Sequence, residues 1–188
     1  MRNVAVLCAQ PGSVYFNIPG CKVYTHRENA WTFRGGMPVI AHPPCRTWSR
    51  YCAHQAKPAI YERELGLFAA EQVKKCGGIL EQPAGSGLFE AAGIPEPPAH
   101  LYLERWIVIS IWQAWWNYPM RKATWLFIVG VPLNKIQIPF RLHAAGRDKR
   151  TWQLMPKAQR SATTLEFGKW LVDLASQSKV ERVCTAVT

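Results

Sequence analysis

Acidic side chains are scarce in this chain of 188 residues. Only 12 Asp and Glu stand against 23 Lys and Arg, which gives a formal net charge of +11. A surplus of positive charge favours a polyanionic partner, because cationic side chains that contact phosphates release the counterions of a nucleic acid. We therefore expect DNA as a partner, with a basic surface that is merely solvated as the alternative.

Long hydrophobic runs are also missing, although 48% of the residues are hydrophobic. The first apolar run, Val4 to Ala9, is too short for a membrane span or for the core of a secretory leader. We therefore expect a cytoplasmic protein with reduced thiols rather than disulfides. Its six cysteines are Cys8, Cys21, Cys45, Cys52, Cys76 and Cys184.

Internal repeats and low-complexity tracts are absent, and the length suits one hydrophobic core. We expect a single α/β domain over residues 1–188, with a mostly parallel central sheet flanked by helices. Periodicity predicts helices over Tyr61 to Lys75 and over Thr163 to Ser176, and Gly and Pro predict loops over Pro83 to Leu101 and a loop-rich insertion over Pro132 to Ala158. The predicted strands are Val4 to Ala9, Lys22 to Thr25, Val39 to Ala41, Ile79 to Glu81, Trp106 to Trp112 and Trp125 to Val129.

Two short loops place reactive side chains at the ends of predicted strands. His42-Pro43-Pro44-Cys45 follows one strand, and Glu81-Gln82-Pro83 ends the next. Open α/β sheets bind their ligands at the carboxyl ends of strands. The intervening helix predicts a right-handed crossover between parallel neighbours, which puts the two loops side by side. The Cys45 thiol and the Glu81 carboxyl are therefore predicted to share a site.

These paired loops resemble the catalytic core of the carbon-5 DNA cytosine methyltransferases, in which a Pro-Cys loop carries the nucleophile and a Glu-Asn-Val or Glu-Asn-Pro loop carries the acid. The strings Ala41 to Ser49, Leu80 to Ser86 and Arg121 to Leu126 look closer still to small uncharacterised phage and prophage proteins related to that core. The resemblance covers roughly residues 37 to 130, with a weaker echo over 160 to 175. It implies a shortened Rossmann-like methyltransferase fold, located in the host cytoplasm if a phage encodes it.

The resemblance also implies a covalent mechanism. Cys45 adds to carbon 6 of a pyrimidine while Glu81 binds the ring nitrogen at position 3 as an acid. Burial against apolar neighbours is expected to raise the pKa of Glu81 and keep it protonated. Arg46 and either Arg121 or Lys122 are expected to lower the thiol pKa and to hold a phosphate. The alternatives are a buried structural cysteine and a carboxylate paired with a surface lysine.

The glycine-rich Phe-x-Gly-x-Gly turn that holds S-adenosylmethionine in that family is missing. Val4 to Ala9 runs instead into Gln10-Pro11-Gly12-Ser13, and about twelve residues separate the first two predicted strands, too few for the usual helix. Gly12, Glu28 and His42 are candidates for a degenerate cofactor site. A reaction at an already modified carbon-5 substituent is therefore an alternative to methyl transfer. The target-recognition domain is missing as well, because Trp125 to Arg160 leaves room only for loops or a hairpin.

Aromatic and basic residues supply candidate contacts to DNA. The Trp48 ring, three residues after Cys45, is expected to stack on a base. Trp112, Trp115 and Trp116 precede basic residues, although such rings also fill protein cores. The predicted nucleic-acid contacts are Trp48, Arg50, Lys122, Arg147, Lys149 and Arg150, with Arg141 and His143 in the same basic segment.

Zinc is a rival interpretation of the cysteine loop. His42, Cys45, Cys52 and His54 are tetrahedral ligand types, but their spacing matches no standard finger or ribbon, so we expect no metal. The sequence thus predicts a pyrimidine-modifying enzyme that acts on DNA or on a nucleotide. The alternative is a catalytically idle methyltransferase relative that serves a phage as a DNA- or protein-binding factor.

Overall fold

The structure, a computed structural model, describes residues 2–25, 29–49, 60–101, 106–139 and 154–179. The described α-helices are α1 Ile60–Cys76, α2 Leu88–Ala91, α3 Lys157–Ser161 and α4 Leu165–Ser176. The described strands are β1 Val4–Ala9, β2 Cys21–Thr25, β3 Val39–Ala41, β4 Gly78–Pro83, β5 Ala99–Leu101, β6 Trp106–Trp112 and β7 Ala123–Val129. The strands form one sheet in the order β2-β1-β3-β4-β7-β6-β5.

Only half of the strand pairings in this sheet are parallel. β1 pairs in parallel with β2 and β3, and β3 with β4, whereas the pairs β4–β7, β7–β6 and β6–β5 are antiparallel. The prediction of a mostly parallel sheet is therefore wrong for the second half of the sheet. The connection between β6 and β7 has only ten residues, which is enough for the chain to turn back and pair antiparallel. A parallel neighbour would need a longer crossover connection.

Helices cover both faces of the sheet. Alternate strand residues point to opposite faces, so each strand contributes to two cores. On one face α1 packs Leu65, Ala69 and Val73 against Leu7, Ala41 and Leu80. On the other face α4 packs Phe167, Leu171 and Val172 against Val6, Ile40 and Ile79. The α/β class and the flanking helices are confirmed.

Most predicted elements are found close to their predicted positions. β1, β3 and β6 have the predicted bounds, and α1 is one residue longer at each end. α4 begins at Leu165 because Thr164 is its N-cap, with a side-chain oxygen that accepts from the main chain of Phe167. The predicted loop over residues 83–101 is wrong in part, because it contains α2 and β5, and β5 gains its hydrogen bonds by pairing with β6. Residues 140–153 of the predicted insertion lie outside the described residues.

One edge of the sheet collects the loops that carry the candidate residues. The register pairs Ala41 with Leu80 and Trp112 with Ala123. The carboxyl ends of β1, β3, β4 and β6 therefore lie beside the amino end of β7, and we call this side the carboxyl edge. Gly78, at the opposite edge, has φ +118, and a Cβ there would overlap the Val39 carbonyl oxygen, so only glycine allows β4 to begin there. None of the described helices has the length and apolar character needed to cross a membrane.

Candidate active site at the carboxyl edge

The loop that follows β3 is bonded directly to the end of β4, because Glu81-Gln82-Pro83, predicted in part as a loop, belongs to that strand. The Gln82 side chain donates a hydrogen bond to the carbonyl oxygen of Pro43 at 2.7 Å, and Ser86 Oγ donates to Gln82 Oε1 at 3.0 Å. The main-chain N–H of His42 donates to the carbonyl of Leu7 at 3.0 Å, which ties the same loop to β1. The predicted proximity of the two loops is confirmed.

Glu81 is the centre of a buried hydrogen-bond network. The residue is only 8% exposed. Its Oε2 lies 2.9 Å from His42 Nδ1, and its Oε1 accepts from Gln113 Nε2 at 2.9 Å. Gln113 Nε2 also donates to Thr124 Oγ1 at 3.0 Å. Residues from the loop after β3, from the turn after β6 and from β7 itself therefore hold the carboxyl group of β4 in one position.

The charge state of Glu81 differs from the prediction. Burial raises the pKa of this carboxyl, but the hydrogen bond from His42, the positive charge of Lys122 and the hydrogen bond from Gln113 lower it, and the pKa lies below its usual value. The expectation of a protonated acid is therefore wrong for the protein without a substrate. The apolar neighbours of Glu81 in the sequence indicate its burial, but the donors around the carboxylate come together only in the fold.

Tyr15 continues the network on the far side of His42. Its hydroxyl oxygen lies 2.8 Å from His42 Nε2, and the residue is 1% exposed. Burial and the negative charge of Glu81 raise the pKa of Tyr15 well above its usual value, so the phenol keeps its proton. Because the Glu81 carboxylate only accepts, Nδ1 is the donor of a neutral His42 ring, and Nε2 accepts from the phenol. Nδ1 of His42 then carries the proton that is donated to Glu81. The chain of donors runs from Tyr15 through His42 to Glu81.

Cys45 lies at the start of a single turn of 3-10 helix, Cys45–Thr47, and is exposed. The next residue fixes this turn to α1, because the Arg46 guanidinium forms a bidentate ion pair with the buried carboxylate of Glu62. The hydrogen bond to Glu62 raises the pKa of Arg46. Arg46 therefore anchors the cysteine loop to α1, and its charge also interacts with Cys45.

The connection from β6 to β7 brings cations and aromatic rings to the same edge. The Arg121 guanidinium lies 6.0 Å from the ring centre of Trp112, which is 41% exposed. The ammonium of Lys122 lies 5.3 Å from the ring centre of Tyr118. Arg121 Nε is buried and has no hydrogen-bond partner among the described residues. Trp112, Arg121 and Lys122 thus bring charge and an aromatic ring to the carboxyl edge, and Lys122 is close enough to Glu81 to affect its pKa.

Trp48 is placed in the core instead of at the surface. It is 5% exposed and packs against Gly66 of α1, with the Arg63 guanidinium 4.8 Å from its ring centre. A base cannot stack on a ring that is covered in this way. The position of Trp48 near Cys45 in the sequence suggested an exposed ring. In the structure the loop directs this large ring into the space that Gly66 leaves because it has no side chain.

The described residues do not fit a methyltransferase cofactor site. Gly12 lies in a tight turn with φ +77, closed by a hydrogen bond from the Ser13 N–H to the Gln10 carbonyl, and the 3-10 helix Val14–Asn17 follows it. A glycine-rich turn that opens a long helix, which holds nucleotide cofactors in such folds, is therefore not formed between β1 and β2. Both ring nitrogens of His42 are engaged by Tyr15 and Glu81. Glu28 lies outside the described residues.

His42 cannot serve as a zinc ligand either, because both of its ring nitrogens are engaged in this network. The candidate ligands Cys52 and His54 lie outside the described residues, within which no group of three or more potential ligands is placed to hold a metal ion. The remaining predicted contacts to DNA cannot be assigned a place in the site. Arg50, Arg141, His143, Arg147, Lys149 and Arg150 all lie outside the described residues.

Two members of the network, Tyr15 and Gln113, were missed by the sequence argument. Both follow strands that end at the carboxyl edge, Tyr15 after β1 and Gln113 directly after β6. Gln113 is also the one polar residue between Trp112 and Trp116. A polar side chain within an apolar stretch at a strand end is a signal that could have identified it.

Comparisons of the chain with models of protein families, with curated proteins and with solved structures gave no match.

Proposed function

We propose that this protein is a pyrimidine-modifying enzyme that acts on DNA or on a nucleotide. Cys45 adds to carbon 6 of the base, Glu81 binds the ring edge, and Arg121 and Lys122 bind negative charge. The observation that carries this proposal is the fixed carboxylate of Glu81, which His42 and Gln113 hold at the end of β4, where that strand is bonded to the cysteine loop.

The exposure of Cys45 supports a nucleophilic role. A structural cysteine is typically buried, as Cys8 is, where burial raises the thiol pKa to about 12. Cys45 is instead exposed, three residues after His42, which binds Glu81 directly. The loop is also fixed in place by the pair Arg46–Glu62, which limits the entropy lost when the thiolate meets a base.

The fold component of the proposal is a shortened Rossmann-like methyltransferase fold. β1 has β2 on one side and β3 on the other, so the chain reverses its direction across the sheet between β1 and β3. Such a switch point creates a crevice at the carboxyl ends of the strands, where ligands bind in α/β sheets. Tyr15, His42 and Cys45 lie in the loops that border this crevice.

Hydrogen exchange at carbon 5 tests the proposal without a cofactor. The Cys45 thiolate adds to carbon 6, carbon 5 takes a deuteron from heavy water and loses a proton to the solvent, and the thiolate leaves again. We expect the purified protein to catalyse this exchange in single-stranded oligonucleotides, measured by mass spectrometry, with no S-adenosylmethionine added. Cys45→Ala should lower the rate at least about 100-fold.

Cys76→Ala is the matched control, because Cys76 ends α1 at the opposite edge of the sheet and is half-buried. Its exchange rate should stay within about twofold of the wild-type rate. The same assay with free nucleotides identifies the level at which the enzyme acts. Tight binding of DNA without exchange of either pyrimidine would overturn the enzyme and favour the binding factor.

A further inference from the structure

All the groups that contact the Glu81 carboxylate in the described structure are hydrogen-bond donors or cations. The side-chain nitrogens of His42 and Gln113 each donate to one of the two oxygens. Lys122 adds a positive charge close enough to affect this carboxyl. A carboxylate in such surroundings has lone pairs left for a ligand but no proton to offer it.

Tyr15 fixes this arrangement, because it sets the direction of the His42 hydrogen bonds. The side chain of Thr163 also interacts with the Tyr15 hydroxyl group. The phenol donates its proton to His42 Nε2, which leaves Nδ1 as the donor to Glu81. An ionised Glu81 can only accept, so Nδ1 has to carry the donated proton, and Nε2 of the neutral ring is left to accept from the phenol.

We propose that the site selects a pyrimidine with an N–H at ring position 3, as in uracil and thymine derivatives, over cytosine. This inference rests on the proposed function and names its substrate class. The N–H of such a ring donates to Glu81. Cytosine instead has a lone pair at that position, which would face the lone pairs of the carboxylate and repel them.

Lys122 completes the match to this class of base. When the Cys45 thiolate bonds to carbon 6, the electron pair of the 5,6 double bond moves through carbon 4 to oxygen 4. The ring becomes an enolate with negative charge on that oxygen. The ammonium group of Lys122, beside Glu81, stabilises this negative charge. No carboxylic acid is therefore needed to protonate the oxygen. The nucleophile, the acceptor and the cation therefore have separate roles in Cys45, Glu81 and Lys122.

The experiment compares carbon-5 exchange of deoxyuridine and deoxycytidine at the same position of one single-stranded oligonucleotide. The ratio of the two rates is divided by the ratio that free cysteine gives in the same buffer, which removes the intrinsic reactivity of the bases. We expect the wild-type protein to favour deoxyuridine by about tenfold or more on this scale. Glu81→Gln should bring the corrected ratio to within about threefold of one, because an amide both donates and accepts.

The outcomes separate the inference from the proposed function. A corrected wild-type ratio at or below one would overturn the substrate class while the enzyme itself stands. No exchange with either base, in the oligonucleotide or as free nucleotides, would overturn the proposed function. The wild-type comparison does not depend on the variant, so the inference stays testable if Glu81→Gln does not fold, which circular dichroism would reveal. A Glu81→Gln variant that folds and keeps the full wild-type preference would also count against the role of the carboxylate.

Discussion

At the residue scale, His42 controls the charge of Glu81. Glu81 is faced by His42, Gln113 and Lys122, with Tyr15 behind His42. Because the pKa of folded Glu81 lies below its ordinary value of 4.5, the ionised carboxylate stabilises the fold above that pH. This contribution is lost as the pH falls through the lower pKa of the folded protein.

His42→Phe should reverse this effect. Without the donor from His42, the influence of burial on Glu81 increases and the pKa of the carboxyl rises. We expect the variant to lose about 1–3 kcal/mol of unfolding free energy at neutral pH, because a buried carboxylate loses one of its hydrogen-bond donors. The loss should shrink as the pH falls and Glu81 becomes protonated. Urea unfolding at a series of pH values measures both quantities.

His42→Asn is the matched control for this prediction, since its amide N–H replaces the Nδ1 donor while the contact to Tyr15 is lost. It should recover part of the stability at neutral pH. A loss for His42→Phe that does not change between neutral and acid pH would contradict an electrostatic role and indicate a packing defect alone.

At the element scale, α1 holds the cysteine loop through Trp48. In an exposed helix, replacing glycine by alanine stabilises the protein by up to about 1 kcal/mol. A Cβ at Gly66 would instead lie 2.5 Å from Nε1 of Trp48. Steric overlap with a buried ring should outweigh the helix propensity, so we expect Gly66→Ala to lower the unfolding free energy by about 1–3 kcal/mol. Urea unfolding tests the sign directly.

Measuring Gly66→Ala in a Trp48→Phe variant tests whether the contact with the Trp48 ring causes the loss. The smaller ring leaves space near Gly66, so Gly66→Ala should cost less in the double variant than in the wild-type chain, and the two effects should not add. If Gly66→Ala stabilises the wild-type protein, then the loop and α1 do not pack as described, and Trp48 returns as a candidate for base stacking.

The predictability of the elements follows from how local their causes are. Val4–Ala9 and Ile60–Cys76 were predictable because apolar run length and helical spacing are written in adjacent residues. The antiparallel half of the sheet was not predictable. Whether the chain crosses over to a parallel neighbour or turns back to an antiparallel one depends on which strand lies next to β4. The same distinction between local and long-range causes applies to the site. Cys45 follows a strand and Glu81 lies near the end of one, which the sequence indicates locally. The contact between Gln113 and Glu81 joins residues 32 apart and exists only after β6, β7 and β4 align.

At the scale of the whole molecule, the charge of +11 predicts affinity for nucleic acid but not its location. The structure suggests a location, because Lys122 belongs to the carboxyl edge whereas Lys75 ends α1 at the opposite edge and pairs with Glu71 at 3.4 Å. We expect Lys122→Ala to reduce the slope of log affinity for single-stranded DNA against log salt concentration by about 0.7–1, because one phosphate contact is lost.

Lys75→Ala removes the same formal charge and should leave that slope unchanged within about 0.2, since a surface cation far from the bound strand releases no counterion from it. Fluorescence anisotropy of a labelled oligonucleotide over a range of salt concentrations measures both slopes. Equal reductions in the two variants would mean that DNA binds through diffuse surface charge, and the affinity of the molecule would then say nothing about the pyrimidine site. A reduction confined to Lys122 would place the nucleic acid at the edge that carries Cys45 and Glu81, so that charge and chemistry act on the same strand.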